Sequence, residues 1–150
     1  MKANELRIGN YIKYTYALSN DIEFCKVTGV KNDGRVYFFL PERYKTSLDA
    51  NEIDPIELTE EVLIKIGFEK IELVEKKLYM YYKEVRIDNY SYLLDFRVMP
   101  KDECIVLYVM KNEDAKVDYF TIFYNDNIKY LHQLQNAYYL LTNKELEVEL

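Results

Sequence analysis

His132, Gln133, Asn136 and Tyr139 are the residues whose types and spacing best suit chemistry. Steps of three and four residues bring them to one side of a helix. Imidazole, two amides and a phenol offer donors and acceptors suited to a nucleobase edge or a phosphate. Lys129 and Tyr130 would stand near the upper end of this face. It has two readings. The four residues line a ligand or partner site, or they hydrogen-bond to neighbouring loops and lock the helix onto the domain.

A second candidate is the run Leu78-Tyr79-Met80-Tyr81-Tyr82-Lys83. In a strand Tyr79 and Tyr81 share one face, and Met80 and Tyr82 the other. A solvated Tyr79/Tyr81 face would stack on a partner, and a covered one would be core. Lys26, Arg35 and Tyr37 could form a small basic-aromatic patch, although charges on a strand usually mark a solvated face.

Several chemistries lack their parts. The chain has one histidine, so nucleophilic catalysis would have to pair His132 with Cys25 or Cys104. Both cysteines sit in strand patterns and read as small core residues. Structural zinc needs four ligands, which one His and two isolated Cys supply poorly. Neither an EF-hand loop nor a His-Glu-x-x-His pair is present, and four scattered glycines build no phosphate loop. No catalytic residue, metal or cofactor is expected.

The elements that must position these residues follow from composition and pattern. A chain of 150 residues with 49% hydrophobic content supports one domain with a real core. Twenty basic against 26 acidic residues leave a net charge of −6, which disfavours sequence-independent binding to nucleic acid. Sixteen tyrosines and no tryptophan suit half-buried sheet faces and contact surfaces. Two distant cysteines make no disulfide framework, the start lacks an apolar signal core, and no apolar run approaches a membrane span. A soluble cytoplasmic protein is expected.

Strands are expected over residues 11–14, 22–30 and 35–40, with Asp33-Gly34 as the clearest hairpin signal. Residues 42–51 read as a polar loop and 53–56 as a short extended piece before a helix over 59–67. That helix has Thr59 as N-cap and Gly67 as its left-handed stop. Residues 68–123 alternate strand and turn in about five antiparallel strands. A helix over 125–142, capped by Asp126 or Asn127, buries Leu131, Leu134, Tyr138 and Leu141. The tail, 144–150, either adds an edge strand or frays. The expected class is α+β: an SH3-like small β-barrel, a short connecting helix, and an antiparallel sheet packed by the C-terminal helix. One domain is expected, with subdomains over 1–58 and 59–150.

Three segments, Leu6-Arg7-Ile8-Gly9-Asn10-Tyr11-Ile12, the stretch from Pro55 to Phe68, and Ile128-Lys129-Tyr130-Leu131-His132-Gln133-Leu134-Gln135-Asn136, carry a resemblance. They resemble a family of small uncharacterised proteins of Bacteroidota genomes, prophages and phages. The run His132 to Asn136 is its most specific part. The resemblance implies an accessory protein of a mobile element in a bacterial cytoplasm. Such proteins often act by binding a host protein or a nucleotide signal of antiphage defence. The expected function is therefore non-enzymatic binding. The alternatives are a small metal-assisted nucleotide hydrolase using His132 and a nucleic-acid-associated small-barrel module. No membrane partner is expected, and a self-complementary strand edge allows a homo-oligomer.

Overall fold

The computed structural model describes residues 1–40, 44–73, 78–86, 92–99, 104–113, 116–125 and 128–150, with side chains over 1–40, 44–72, 81–83, 128–140 and 142–150. It is a mixed α+β structure with two antiparallel sheets and a C-terminal helix. The chain divides into two compact units. One holds Met1–Glu57 and Tyr130–Leu146, the other Leu58–Lys129 and Glu147–Leu150.

The first unit is built on a four-stranded meander of β1 (Tyr11–Thr15), β2 (Ile22–Val30), β3 (Arg35–Phe39) and β4 (Lys45–Asp49). The β2–β3 reversal is the expected one: Gly34 takes φ +90° and its N–H donates to the Lys31 carbonyl at 3.0 Å. Strand alternation then sorts the side chains. Ile12, Cys25, Val27, Val36 and Phe38 point into a core completed by Leu6, Ala50 and Ile53. The Tyr14 ring lies 5.6 Å from that of Phe38. A bulge between Val27 and Gly29 bends β2 where Tyr37 pairs with Gly29.

Residues 45–49 correct the expected loop. Lys45-Thr46-Ser47-Leu48-Asp49 looks polar, but Thr46 and Leu48 pair with the inward positions Phe38 and Val36 and are half-buried. Its partner strand supplies the order that its own composition does not. From β4 a 3-10 turn, Ala50–Glu52, leads back to β1 through a single bridge between Lys13 and Asp54. Among the described residues the sheet does not close into a barrel.

In the second unit α1 (Glu60–Lys65) precedes β5 (Glu69–Leu73), β6 (Leu78–Arg86), β7 (Tyr92–Met99), β8 (Cys104–Glu113) and β9 (Lys116–Asn125), paired in chain order. The end signals of α1 hold: Thr59 Oγ1 accepts from the Val62 N–H at 3.3 Å, and Gly67 ends the helix at φ +81°. Leu63, Ile66 and Phe68 are buried, as a helix this short requires. The turns expected between these strands, at 74–77, 87–91 and 100–103, lie outside the described residues, as does Pro41.

Gly67 yields a prediction. A Cβ there would lie 2.9 Å from Lys83 Nζ, which donates to the Ile66 carbonyl at 2.6 Å. Gly67→Ala is expected to cost about 1–2 kcal/mol, because the left-handed backbone strains an L side chain. Gly67→Asn should cost less, since asparagine tolerates that region. Urea midpoints of the two variants check the order.

The helix α2 (Leu131–Thr142) differs from expectation in start, company and burial. Ahead of it the chain is extended: Tyr130 bridges Glu57, and the Leu131 N–H donates to the Ile56 carbonyl at 2.8 Å. That pairing delays the helix. Its N-cap is Tyr130, whose N–H donates to Gln133 Oε1 at 3.1 Å, while Asp126 and Asn127 lie outside the described residues. The expectation grouped α2 with the second sheet, whereas α2 folds in the unit of the first. The reason is polar complementarity between α2 and the N-terminal turn. Leu131, Leu134 and Tyr138 are buried as expected, and the side chain of Leu141 lies outside the described residues. Asn143, at φ 53°, ends the helix. The tail adds no strand among the described residues, and Leu146 is buried.

Candidate functional site

Of the four polar residues expected on this face of α2, Asn136 is taken up by bonds to the N-terminal turn, together with Gln135, which was not among the four. Gln135 is fully buried; its Oε1 accepts from the Tyr11 N–H at 2.9 Å and its Nε2 donates to the Gly9 carbonyl at 3.3 Å. Asn136 donates to the Glu5 carbonyl at 2.8 Å and accepts from Asn10 Nδ2 at 2.9 Å. Asn10, also fully buried, accepts from the Arg7 N–H at 2.8 Å. Two amides on α2 thus read out the backbone of the turn from Glu5 to Tyr11. Gly9, at φ +100°, gives that turn its shape.

Arg7 fastens the far end. Its guanidinium holds the Glu145 carboxylate with both nitrogens, at 2.6 and 2.9 Å, and donates to the Gln135 carbonyl at 3.3 Å. It also lies 4.1 Å over the Tyr139 ring. The Arg7 hydrogen bond holds the Glu145 carboxyl below the usual carboxylate range. A planar guanidinium can make these contacts together, and a lysine cannot. Arg7→Ala is expected to cost about 1–2 kcal/mol, since a bidentate, half-buried pair exceeds an ordinary surface pair. Faster hydrogen exchange in the last turn of α2 would report it.

His132 is 1% exposed, and among the described residues neither ring nitrogen has a hydrogen-bond partner. Its ring stacks on Tyr130 at 5.9 Å with planes 10° apart. Burial pushes its pKa down to about 4, against the pull of Glu5 and with the push of the N-terminal amine. It is a neutral, buried ring at working pH. Gln133 is half-buried at the helix start, and Tyr139, 39% exposed, is the one of the four most open to solvent.

Tyr81 is buried in the second unit, and the side chain of Tyr79 lies outside the described residues. Burial raises the Tyr81 phenol, and Glu60 raises it further. Lys70 donates to Glu60 at 2.6 Å, and with Tyr81 it keeps that carboxylate below its ordinary value. A raised phenol stays protonated, and the three groups together tether α1 to β5 and β6. Cys25 is a free buried thiol pushed up to about 11, chiefly by burial. The Cys104 side chain is outside the described residues. No group of three or more His, Cys, Asp or Glu able to hold a metal exists among them.

The first sheet's outer face is different. Outward positions on β1 to β4 include Tyr11, Lys13, Phe24, Lys26, Arg35 and Tyr37, with Phe39 and Lys45 beyond. Tyr37 is the centre: Lys31 Nζ and Lys45 Nζ each lie 5.1 Å from its ring centroid. The ring rests over bare backbone at Gly29, where a Cβ would meet it at 3.6 Å. Lys26 Nζ stands 6.0 Å from the Tyr11 centroid. Hydrogen bonding to Tyr37 raises Lys31 above the ordinary lysine value, so it stays charged. Phe39 and Phe24 are 50% and 38% exposed.

Of this face the sequence reading found Lys26, Arg35 and Tyr37. It missed Tyr11, Phe24, Lys31, Phe39 and Lys45. Alternation along β1 to β3 carries a signal for the first two and for Phe39. Lys45 had none while 42–51 read as a loop. Comparison with family models, curated proteins and solved structures finds no match to this chain.

Proposed function

We propose that this is a non-enzymatic binding protein of phage or mobile-element origin, engaging a host protein or a small nucleotide-like ligand. Its working surface is the outer face of the first sheet, and its setting is interference with antiphage defence in a bacterial cytoplasm. The observation that carries the binding part is the Tyr37 ring flanked by Lys31 and Lys45 on an open sheet face. A ring for stacking beside cations for phosphate is the chemistry that nucleotides and anionic protein segments meet. Origin, setting and location rest on the resemblance of the three motifs. No described helix is long and apolar enough to cross a membrane.

An SH3-like likeness belongs to the same proposal. The return of the chain from β4 through a 3-10 turn to a bridge on β1 supports it. Burial of His132 argues against its use as acid or base on a bound nucleotide, because the ring does not reach the surface.

The test is retention. The protein is incubated with a nucleotide mixture, separated from free ligand, and heat-denatured. A nucleotide returned unaltered supports the reading, and Tyr37→Ala should lose it. A cleaved product overturns it in favour of a hydrolase.

A further inference from the structure

We propose that the outer face of the first sheet docks single-stranded nucleic acid, its rings receiving bases and its cations receiving phosphates. The inference rests on the binding reading above and extends its nucleotide-like ligand to a chain of nucleotides.

Charge is the first support. The whole chain carries −6, an argument against nucleic acid when taken as a sum. Phosphates meet a surface rather than a sum. On this face Lys26, Arg35 and Lys45 point outward with Lys31 at the rim, against Asp33, Asp49 and the Glu145 carboxylate, which feels the Lys26 charge. Lys13 has its own partner, Asp54, at 3.8 Å. The face is therefore basic on an acidic molecule.

Shape is the second. A sheet of four strands is ~15 Å across, and it is open rather than a pocket. Tyr11 on β1 and Tyr37 on β3 are two strands apart, ~10 Å across the sheet. Each ring has a lysine beside it. Repeated ring-plus-cation stations suit a chain that repeats base and phosphate. A single nucleotide uses one station and leaves the others idle. A duplex hides its base faces, so it can use the cations but not the rings.

The probe is an end-labelled oligothymidylate, followed by anisotropy with the full chain. Binding is expected at low salt, with log K falling against log salt at a slope of about −2 to −3 if three or four cations each release counterions from a phosphate. Tyr37→Ala should weaken binding about tenfold or more with the slope unchanged, as expected for loss of one stacked base. Lys31→Glu with Lys45→Glu should weaken binding and flatten the slope by about 1.4 or more. Both lysines are exposed, so this variant keeps the fold, and circular dichroism confirms that for each protein.

Absence of an anisotropy change at low salt overturns the proposal. So does unchanged binding by Tyr37→Ala, or a duplex of the same length competing as well as the single strand. The retention assay separates the two failures. A nucleoside monophosphate held at Tyr37 while the oligonucleotide is ignored sinks this inference and leaves the binding reading standing. A cleaved nucleotide sinks the binding reading itself.

Discussion

Gln135→Leu is expected to destabilise the first unit by about 3 kcal/mol, because it strands two backbone groups at once. The Tyr11 N–H loses its acceptor at 2.9 Å and the Gly9 carbonyl its donor at 3.3 Å. Gln135 is fully buried, so its replacement leaves the site largely dry. Each buried group left without a partner costs roughly 1–3 kcal/mol, and the half-buried state of Tyr11 keeps the sum below the upper limit. Leucine approximates the volume of glutamine, so a cavity does not confound the comparison. Leu140→Ala, on a side chain 78% exposed, is the control and should change stability by about 0.5 kcal/mol or less. Denaturant titration followed by circular dichroism measures both. Equal midpoints for the two variants would mean that α2 is held by its apolar side alone.

Acidification from pH 7 to 4.5 is expected to remove about 2–3 kcal/mol through His132 alone. The ring is neutral in the folded protein, with a pKa of about 4 against an ordinary 6.5. Between these values the unfolded chain binds a proton that the native state refuses. Stability is therefore complete above pH 6.5 and falls as the pH drops towards 4. The groups that act on the ring are the Glu5 carboxylate, which favours the charged form, and the N-terminal amine, which opposes it. Neither offers the ring nitrogens a hydrogen bond. His132→Phe keeps an aromatic ring beside Tyr130 and removes the titration, so its denaturation midpoint should lose this slope. Glu145 works in another window. Its pKa is lowered by Arg7, so its contribution is present above the ordinary glutamate value and is lost below it as the pH falls through the depressed value. A wild-type profile that is flat between pH 6.5 and 4.5 would contradict the burial of His132.

Both predictions concern the run from His132 to Asn136, and both give it structural work. The lock reading fits Asn136, and Gln135, which was outside that reading, joins it in binding the turn that contains Arg7, Gly9 and Asn10. Two motifs at opposite ends of the chain are thus halves of one joint. Binding is better sought on the outer face of the first sheet.

Much of the frame was legible. The strand Ile22–Val30 has the alternation of a half-buried strand, with Cys25 and Val27 inward and Phe24 and Lys26 outward. Asp33-Gly34 marks its reversal, and Thr59 and Gly67 bracket α1. These signals are local: a turn needing positive φ, a cap needing a side-chain oxygen, a period of two. Residues 45–49 were not legible, because a polar strand acquires its identity from the partner it pairs with.

The amino-acid sequence by itself determined the class, the hairpin, the short capped helix, the two-residue alternation of β2, and the apolar stripe of α2. Each depends on residues within a few positions of one another. Only the tertiary structure decided which unit owns α2, that His132 is buried with no hydrogen-bond partner among the described residues, and that Lys31 and Lys45 converge on Tyr37. Those facts depend on long-range pairing. A glutamine that seeks a backbone amide 124 residues away leaves no periodic trace in the chain.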